Sequence, residues 1–280
     1  MIKRGVWAAI LLAACAGEAE KPAEKPAEPA VEAPPGPPAK LNLGELQAQA
    51  AMDSMVPSPA ETQLALTNAG LSSSLAKLAE GRDIQVSVAD PDEVAVRTGV
   101  VLAHVVLCAK TAPKERLVAQ LGQLKTGLQK LGGSERVLKT VDDLSARVAN
   151  DSSGRDDLVR EMDELANVMV PEVESNLQGQ ALPLLRAGAW LEGAWLVTGA
   201  IQAEGKYDAA TSLLRQPHVV RYFKDYLYGE GKQVAPAAIH TELQATLQTL
   251  EGIVNKETLS QDDVAAIHTA TDGLLSKLKD

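Results

Sequence analysis

Between Leu117 and Met169 the apolar residues recur in alternating steps of four and three, three times over. Leu117, Leu121, Leu124, Leu128 and Leu131 make the first run, Val137, Val141, Leu144 and Val148 the second, and Leu158, Met162, Leu165 and Met169 the third. That stepping lays a continuous stripe along one face of an α-helix and is incompatible with the two-residue alternation of a strand. Gly132-Gly133 closes the first run, Ser134 is placed to cap the second, and Asp151-Ser152-Ser153-Gly154 turns the chain into the third. Connections this short make successive helices antiparallel neighbours. Pro171 is expected to end or kink the third helix, leaving Glu172 to Leu177 as a continuation at an angle.

Two further segments are apolar almost all round and so belong in the middle of a bundle. The first, Val94 to Ala109, is opened by Asp90-Pro91-Asp92-Glu93 and carries Arg97 and His104, too polar for a membrane span. The second, Pro183 to Ala203, holds Gly188, Gly193 and Gly199, each costing nearly 1 kcal/mol relative to Ala inside a helix. Either a close helix approach or room for a bound molecule must compensate. Ser58-Pro59-Ala60-Glu61 reads as a capping box opening a helix that carries Leu64, Leu71, Leu75 and Leu78 and stops at Gly81. Residues 208–228, 236–256 and 260–278 supply the remaining helices, and Ile84 to Val88 is extended without an obvious partner strand. Aromatic residues are only 3% of the chain while Ala, Leu and Val dominate, which again favours helices over sheets. The fold expected is all-α, a bundle of about eight or nine antiparallel helices in one domain over residues 41–280.

The first forty residues carry an address instead of a fold. Lys3 and Arg4, the apolar run Val6 to Leu12, and the small pair Ala13-Ala14 have the layout of an export signal, too short to span a bilayer permanently. Leu12-Ala13-Ala14-Cys15 resembles the lipobox of bacterial lipoproteins. The resemblance implies cleavage after residue 14, lipidation of Cys15 and a chain anchored to the membrane without crossing it. Ala16, where such lipoproteins retained at the inner membrane carry Asp, implies sorting to the outer membrane, with the folded part in the periplasm or at the surface. Residues 16–40, mostly Ala, Pro, Glu and Lys, cannot bury a core and read as an extended tether.

Charge narrows the partners. The net charge is −10, and about −12 once Lys3 and Arg4 leave with the signal; without a basic stripe, a nucleic-acid partner is not expected. With Cys15 carrying lipid, Cys108 has no second cysteine to pair with. All the aromatic side chains after the signal fall between Trp190 and Tyr228. Gly188, Glu192, Trp195 and Gly199 share one helix face, and the next helix offers Arg221, Tyr222 and Tyr226. One reading is a site between these helices, containing Gly188, Trp190, Glu192, Trp195, Arg221, Tyr222 and Tyr226, with Glu192 as polar anchor and Arg221 as counter-charge. The other is a local aromatic core with an ion pair at its rim.

Arg97, His104 and Cys108 also share a face, and His-x-x-x-Cys could present half a metal site, although no motif completes it; a core histidine beside a small apolar cysteine is the simpler account. His218, His240 and His268 are scattered over other helices. No nucleophile elbow, phosphate loop or calcium loop occurs, and the paired acids fall at helix starts or on solvated faces, so neither a cofactor nor catalysis is expected.

Gly188-Ala189-Trp190-Leu191-Glu192-Gly193, on an apolar helix following several amphipathic ones, resembles a motif of a broad group of all-helical bacterial lipoproteins of unassigned function. That group carries Gly, an aromatic and Asp on an earlier apolar helix, where this chain has Gly99, Val101 and His104. The resemblance spans Val94 to Tyr228 and implies a helical fold and surface anchoring, without an activity. The function expected is a non-catalytic binding module, a protein-interaction scaffold of the cell envelope. The alternatives are a periplasmic carrier of an apolar ligand such as a lipid, and a metal- or haem-binding bundle.

Overall fold

A computed structural model describes residues 56–280 except 153, 177–180, 230–237 and 280, with backbone alone over 166–176. Among the described residues eleven α-helices follow in order: α1 (Pro59–Asn68), α2 (Leu75–Leu78), α3 (Pro91–Cys108), α4 (Lys114–Lys130), α5 (Glu135–Ala149), α6 (Arg155–Asn176), α7 (Ala181–Glu204), α8 (Ala210–Leu214), α9 (Pro217–Tyr228), α10 (Ala238–Val254) and α11 (Gln261–Leu275). Nine have ten residues or more, and no strand occurs among the described residues, so the architecture is an all-α multi-helix bundle. All the described residues lie in one compact unit, Leu43–Asp280. Cys15 and the tether lie outside the described residues.

The caps form as the sequence dictates. Ser58 Oγ accepts from the Glu61 N–H while the Glu61 carboxylate accepts from the Ser58 N–H at 2.8 Å. Asp90 accepts from the N–H groups of Asp92 and Glu93, and Ser134 from that of Val137. Two boundaries differ from expectation. α1 stops at Asn68 and not at Gly81, because Gly70 takes a φ of +69° and lets the Leu71 N–H reach back to Leu66 O at 2.8 Å. Of the two outcomes expected at Pro171, an end or a continuation, the helix continues, and α6 runs to Asn176. The helix expected over 208–228 breaks at Arg215-Gln216, with Pro217 supplying the first turn of α9.

The apolar stripes of α4 and α5 are buried in full, from Leu117 to Leu131 and from Val137 to Val148. Successive helices run antiparallel: Lys114 meets Asp151 and Lys125 meets Asp142 across α4 and α5, and Glu242 meets Lys277 across α10 and the end of α11. At the centre α3 and α7 make the most extensive contact of the fold. Every residue of α3 from Val94 to Cys108 is buried, as the all-round apolar sequence requires. These two helices touch backbone to backbone. A Cβ on Gly188 would overlap the Val96 carbonyl, and one on Gly99 would overlap the Leu185 carbonyl and lie 2.9 Å from Ala189 N. The compensation for Gly188 is thus close approach. The first half of α3 meets the first part of α7, Val96 and Gly99 against Leu185 to Ala189, and the second half a later part, His104 with Glu192 and Leu107 with Gly193, so this central pair runs in one direction.

Candidate functional site

One charged cluster is sealed into the contact between α3 and α7. Glu192, fully buried on α7, receives His104 Nε2 of α3 at 2.7 Å on one carboxylate oxygen and Arg82 Nη2 at 3.5 Å on the other. Arg82 comes from the segment after α2, where Gly81 takes a φ of +74°. Arg82, Ile84 and Val86 then alternate inward while Asp83, Gln85 and Ser87 are exposed. Its guanidinium lies 3.7 Å over the Trp195 ring and bonds Asp272 of α11 at 2.8 Å. The opposite edge of the cluster is aromatic: Trp195 stacks on His268 with centroids 5.2 Å apart, and His268 Nδ1 sits 2.9 Å from Thr198 Oγ1.

Electrostatics follow from burial and pairing. Burial by itself would push the Glu192 carboxyl up, but the pull of His104 and Arg82 outweighs it and leaves the pKa below the ordinary value. Glu192 is therefore an anion, with His104 Nε2 in close contact with its carboxylate. His268 is shifted down, chiefly by burial and further by the Arg82 charge, against a bond to the Trp195 carbonyl and the pull of Asp272. Burial, with the Glu192 charge, pushes the Cys108 thiol up to about 12. It stays protonated and small, unsuited to bind a metal as thiolate. Among the described residues no three His, Cys, Asp or Glu side chains converge as a metal cage. The third member of that face, Arg97, bonds Glu93, Gln85 O and Leu278 O, tying α3 to the extended segment and the C-terminal turn.

On the His104 side the cluster adjoins Gln120 of α4. Gln120 Nε2 lies 3.4 Å from His104 Nδ1, and Gln120 Oε1 is buried without a hydrogen-bond partner. Both residues line an open groove of about 510 Å³ between α4 and the segment Glu80–Gln85, with Arg116 and Gln123 on the helical wall. This is a size at which small ligands bind, since pockets commonly run from about 300 to 1,000 Å³.

The residues singled out from sequence divide between two places. The face of Gly188, Glu192, Trp195 and Gly199 exists, but it packs on α3, α2 and α11 rather than on α9. The groups that meet the Glu192 carboxylate are His104 and Arg82, while Arg221 is exposed. Trp190 points the other way, donating its Nε1–H to Gln216 Oε1 at 2.7 Å and packing on Phe223, which Tyr222 meets edge-on at 5.0 Å. Tyr226 is half-buried. The space beside Trp190, lined also from α8, α10 and α11, is about 30 Å³, enough for one water. Sequence reasoning missed Arg82, Asp272 and Gln120. The period-two alternation of Arg82, Ile84 and Val86 is a usable signal for the first; nothing local marks Gln120, which sits beside the leucine stripe like any rim residue.

Among the described residues no helix is long and apolar enough to cross a membrane. Set against known proteins, the chain matches no family model, no curated protein and no solved structure, so its chemistry rests on this geometry alone.

Proposed function

We propose that this chain is a non-catalytic binding module, held at a bacterial cell envelope by lipid on Cys15, and that it engages a partner protein of the envelope through the groove beside His104. The observation that carries the reading is the open groove of about 510 Å³ between α4 and the segment Glu80–Gln85, backed by the buried His104–Glu192–Arg82 cluster. The apolar-carrier alternative draws less support, because the space under Trp190 suits a water and not a lipid chain.

A photoreactive residue at Gln123, on the groove wall, tests this in living cells carrying the full chain; the control is the same residue at Lys139, exposed on α5. A discrete cross-linked protein at position 123 and none at 139 is the expected outcome. Equal labelling at both, or none at either, overturns the reading. The anchor is tested separately. Cys15→Ser is expected to move the chain from the membrane fraction to the soluble one, and unchanged membrane association refutes lipid attachment at that residue.

A further inference from the structure

The outer face of the α10–α11 hairpin forms a second open depression, a shallow trough of about 670 Å³ that shares no residue with the groove beside His104. The two helices bury Leu243, Leu247, Val264 and Ile267 inward and turn Ala245, Thr249, Ala266, Thr269 and Gly273 outward. Charges sit at the ends of this face. Glu242 and Lys277 pair at 2.6 Å at one end and Lys256 with Asp263 at the other, and among the described residues no charged side chain lines the trough between them. On a chain of net charge −10, such a face lets a second acidic molecule approach without like charges meeting.

The floor of the trough carries a polar group left over by the fold. Thr246 is 8% exposed, and its hydroxyl makes no hydrogen bond to any described residue. Buried threonines on other helices, Thr98, Thr198 and Thr271, turn the hydroxyl back onto the carbonyl four residues earlier, as Thr249 and Thr269 do on the trough walls. Thr246 Oγ1 instead keeps accessible surface and opens into the trough.

Both polar features of the face are self-complementary. A hydroxyl is donor and acceptor at once, so two copies of it satisfy each other, as two carboxylates or two ammonium groups cannot. Glu242 and Lys277 lie side by side on different helices, so a twofold axis along the hairpin sets each copy's Glu242 opposite the other's Lys277. Helices of 17 and 15 residues make a face about 25 Å long and about 20 Å wide. Two such faces bury about 1,000 Å², the low end for a specific interface, which suits a reversible contact.

We propose that the α10–α11 face is where the chain meets a second copy of itself. The two hairpins pack as a four-helix bundle about a twofold axis parallel to the helices, and Thr246 of each copy bonds that of the other.

The test places a photoreactive residue at Thr269 in the full chain, in living cells that co-express two differently tagged versions; the control position is Lys139, exposed on α5. A cross-link joining the two tags from 269 and none from 139 is expected. Ala266→Glu and Ala245→Lys each put a charge into the uncharged face at an exposed position, and each should reduce that cross-link about tenfold or more. Should one of them fail to fold, as judged by circular dichroism, the other decides. Equal joining of the tags from both positions, or joining that survives the charged variants, overturns the proposal. So does a cross-link from 269 only to a different protein, or none at all. Sedimentation equilibrium of the full chain in detergent reads the hydroxyl. Thr246→Val keeps the shape and should weaken association about fivefold, the loss of one ordinary hydrogen bond. An unchanged constant overturns the pairing of the two hydroxyls.

Discussion

At the scale of single residues, the molecule is organised by one buried carboxylate. Glu192 is fully buried with two counter-groups, so truncation removes an anion that His104 and Arg82 were positioned to meet. Breaking a buried pair from one side costs about 3–5 kcal/mol. Glu192→Ala should lower stability by that amount in urea titrations, and Glu192→Ala with His104→Ala should cost less than the two losses added. Additive losses would mean that the pair is not coupled. The pH dependence has a definite sign. His268 and Glu192 both have folded pKa values below their unfolded ones, so the unfolded chain takes up protons first as pH falls. Stability should therefore be complete above the usual histidine value of 6.5 and decline below it, with Glu192 adding a further loss below 4.5. Cys108 is shifted the other way, from 9.0 to about 12, so its share is full below pH 9 and is lost as pH rises towards 12. Cys108→Ala should remove that alkaline loss; a decline unchanged by the substitution would assign it elsewhere. Glu192 was legible from its place on a face with Gly188 and Trp195. Its partners were not, because periodicity places a residue on a face without saying which distant segment covers that face, and Arg82 arrives from outside any helix.

At the scale of elements, the glycines separate into two kinds that the sequence does not distinguish. Gly99 and Gly188 face carbonyl groups of the opposite helix, which cannot move aside as a side chain would. Gly99→Ala and Gly188→Ala should each cost about 3 kcal/mol or more by overpacking. Gly122 on α4 and Gly252 on α10 have open space where a Cβ would be. Their replacement by Ala should instead stabilise by about 0.5–1 kcal/mol, since a helical glycine loses more chain entropy on folding. Melting temperatures that move the same way for both pairs would contradict the assignment. Helix starts were readable because Ser58, Asp90 and Ser134 act locally, on N–H groups within three residues. The stop at Asn68 was harder to read: Gly70 and Gly81 both take left-handed conformations, and only the burial of Leu71 selects the first as the helix end. The shared direction of α3 and α7 was illegible, since it depends on the path through three intervening helices and not on either sequence.

At the scale of the whole molecule, an all-α bundle follows from apolar stepping and sparse aromatics. The location of the groove does not follow, because it is made by a non-helical segment lying against α4. The contact between α3 and α7 also has a consequence in time. Its partners, such as Val96 and Gly188, are far apart in the chain, whereas α4, α5 and α6 meet their neighbours across short turns. Closing a long loop must precede the reward of the contacts it brings, so local hairpins form sooner than distant pairings. The three middle helices should accordingly gain structure first, and the central pair should dock on them afterwards as the slow step. In stopped-flow refolding, far-ultraviolet circular dichroism should lead, and the fluorescence of Trp195, enclosed only once α7, α11 and Arg82 have met, should trail. A single shared rate constant for both signals would show that the bundle assembles in one event.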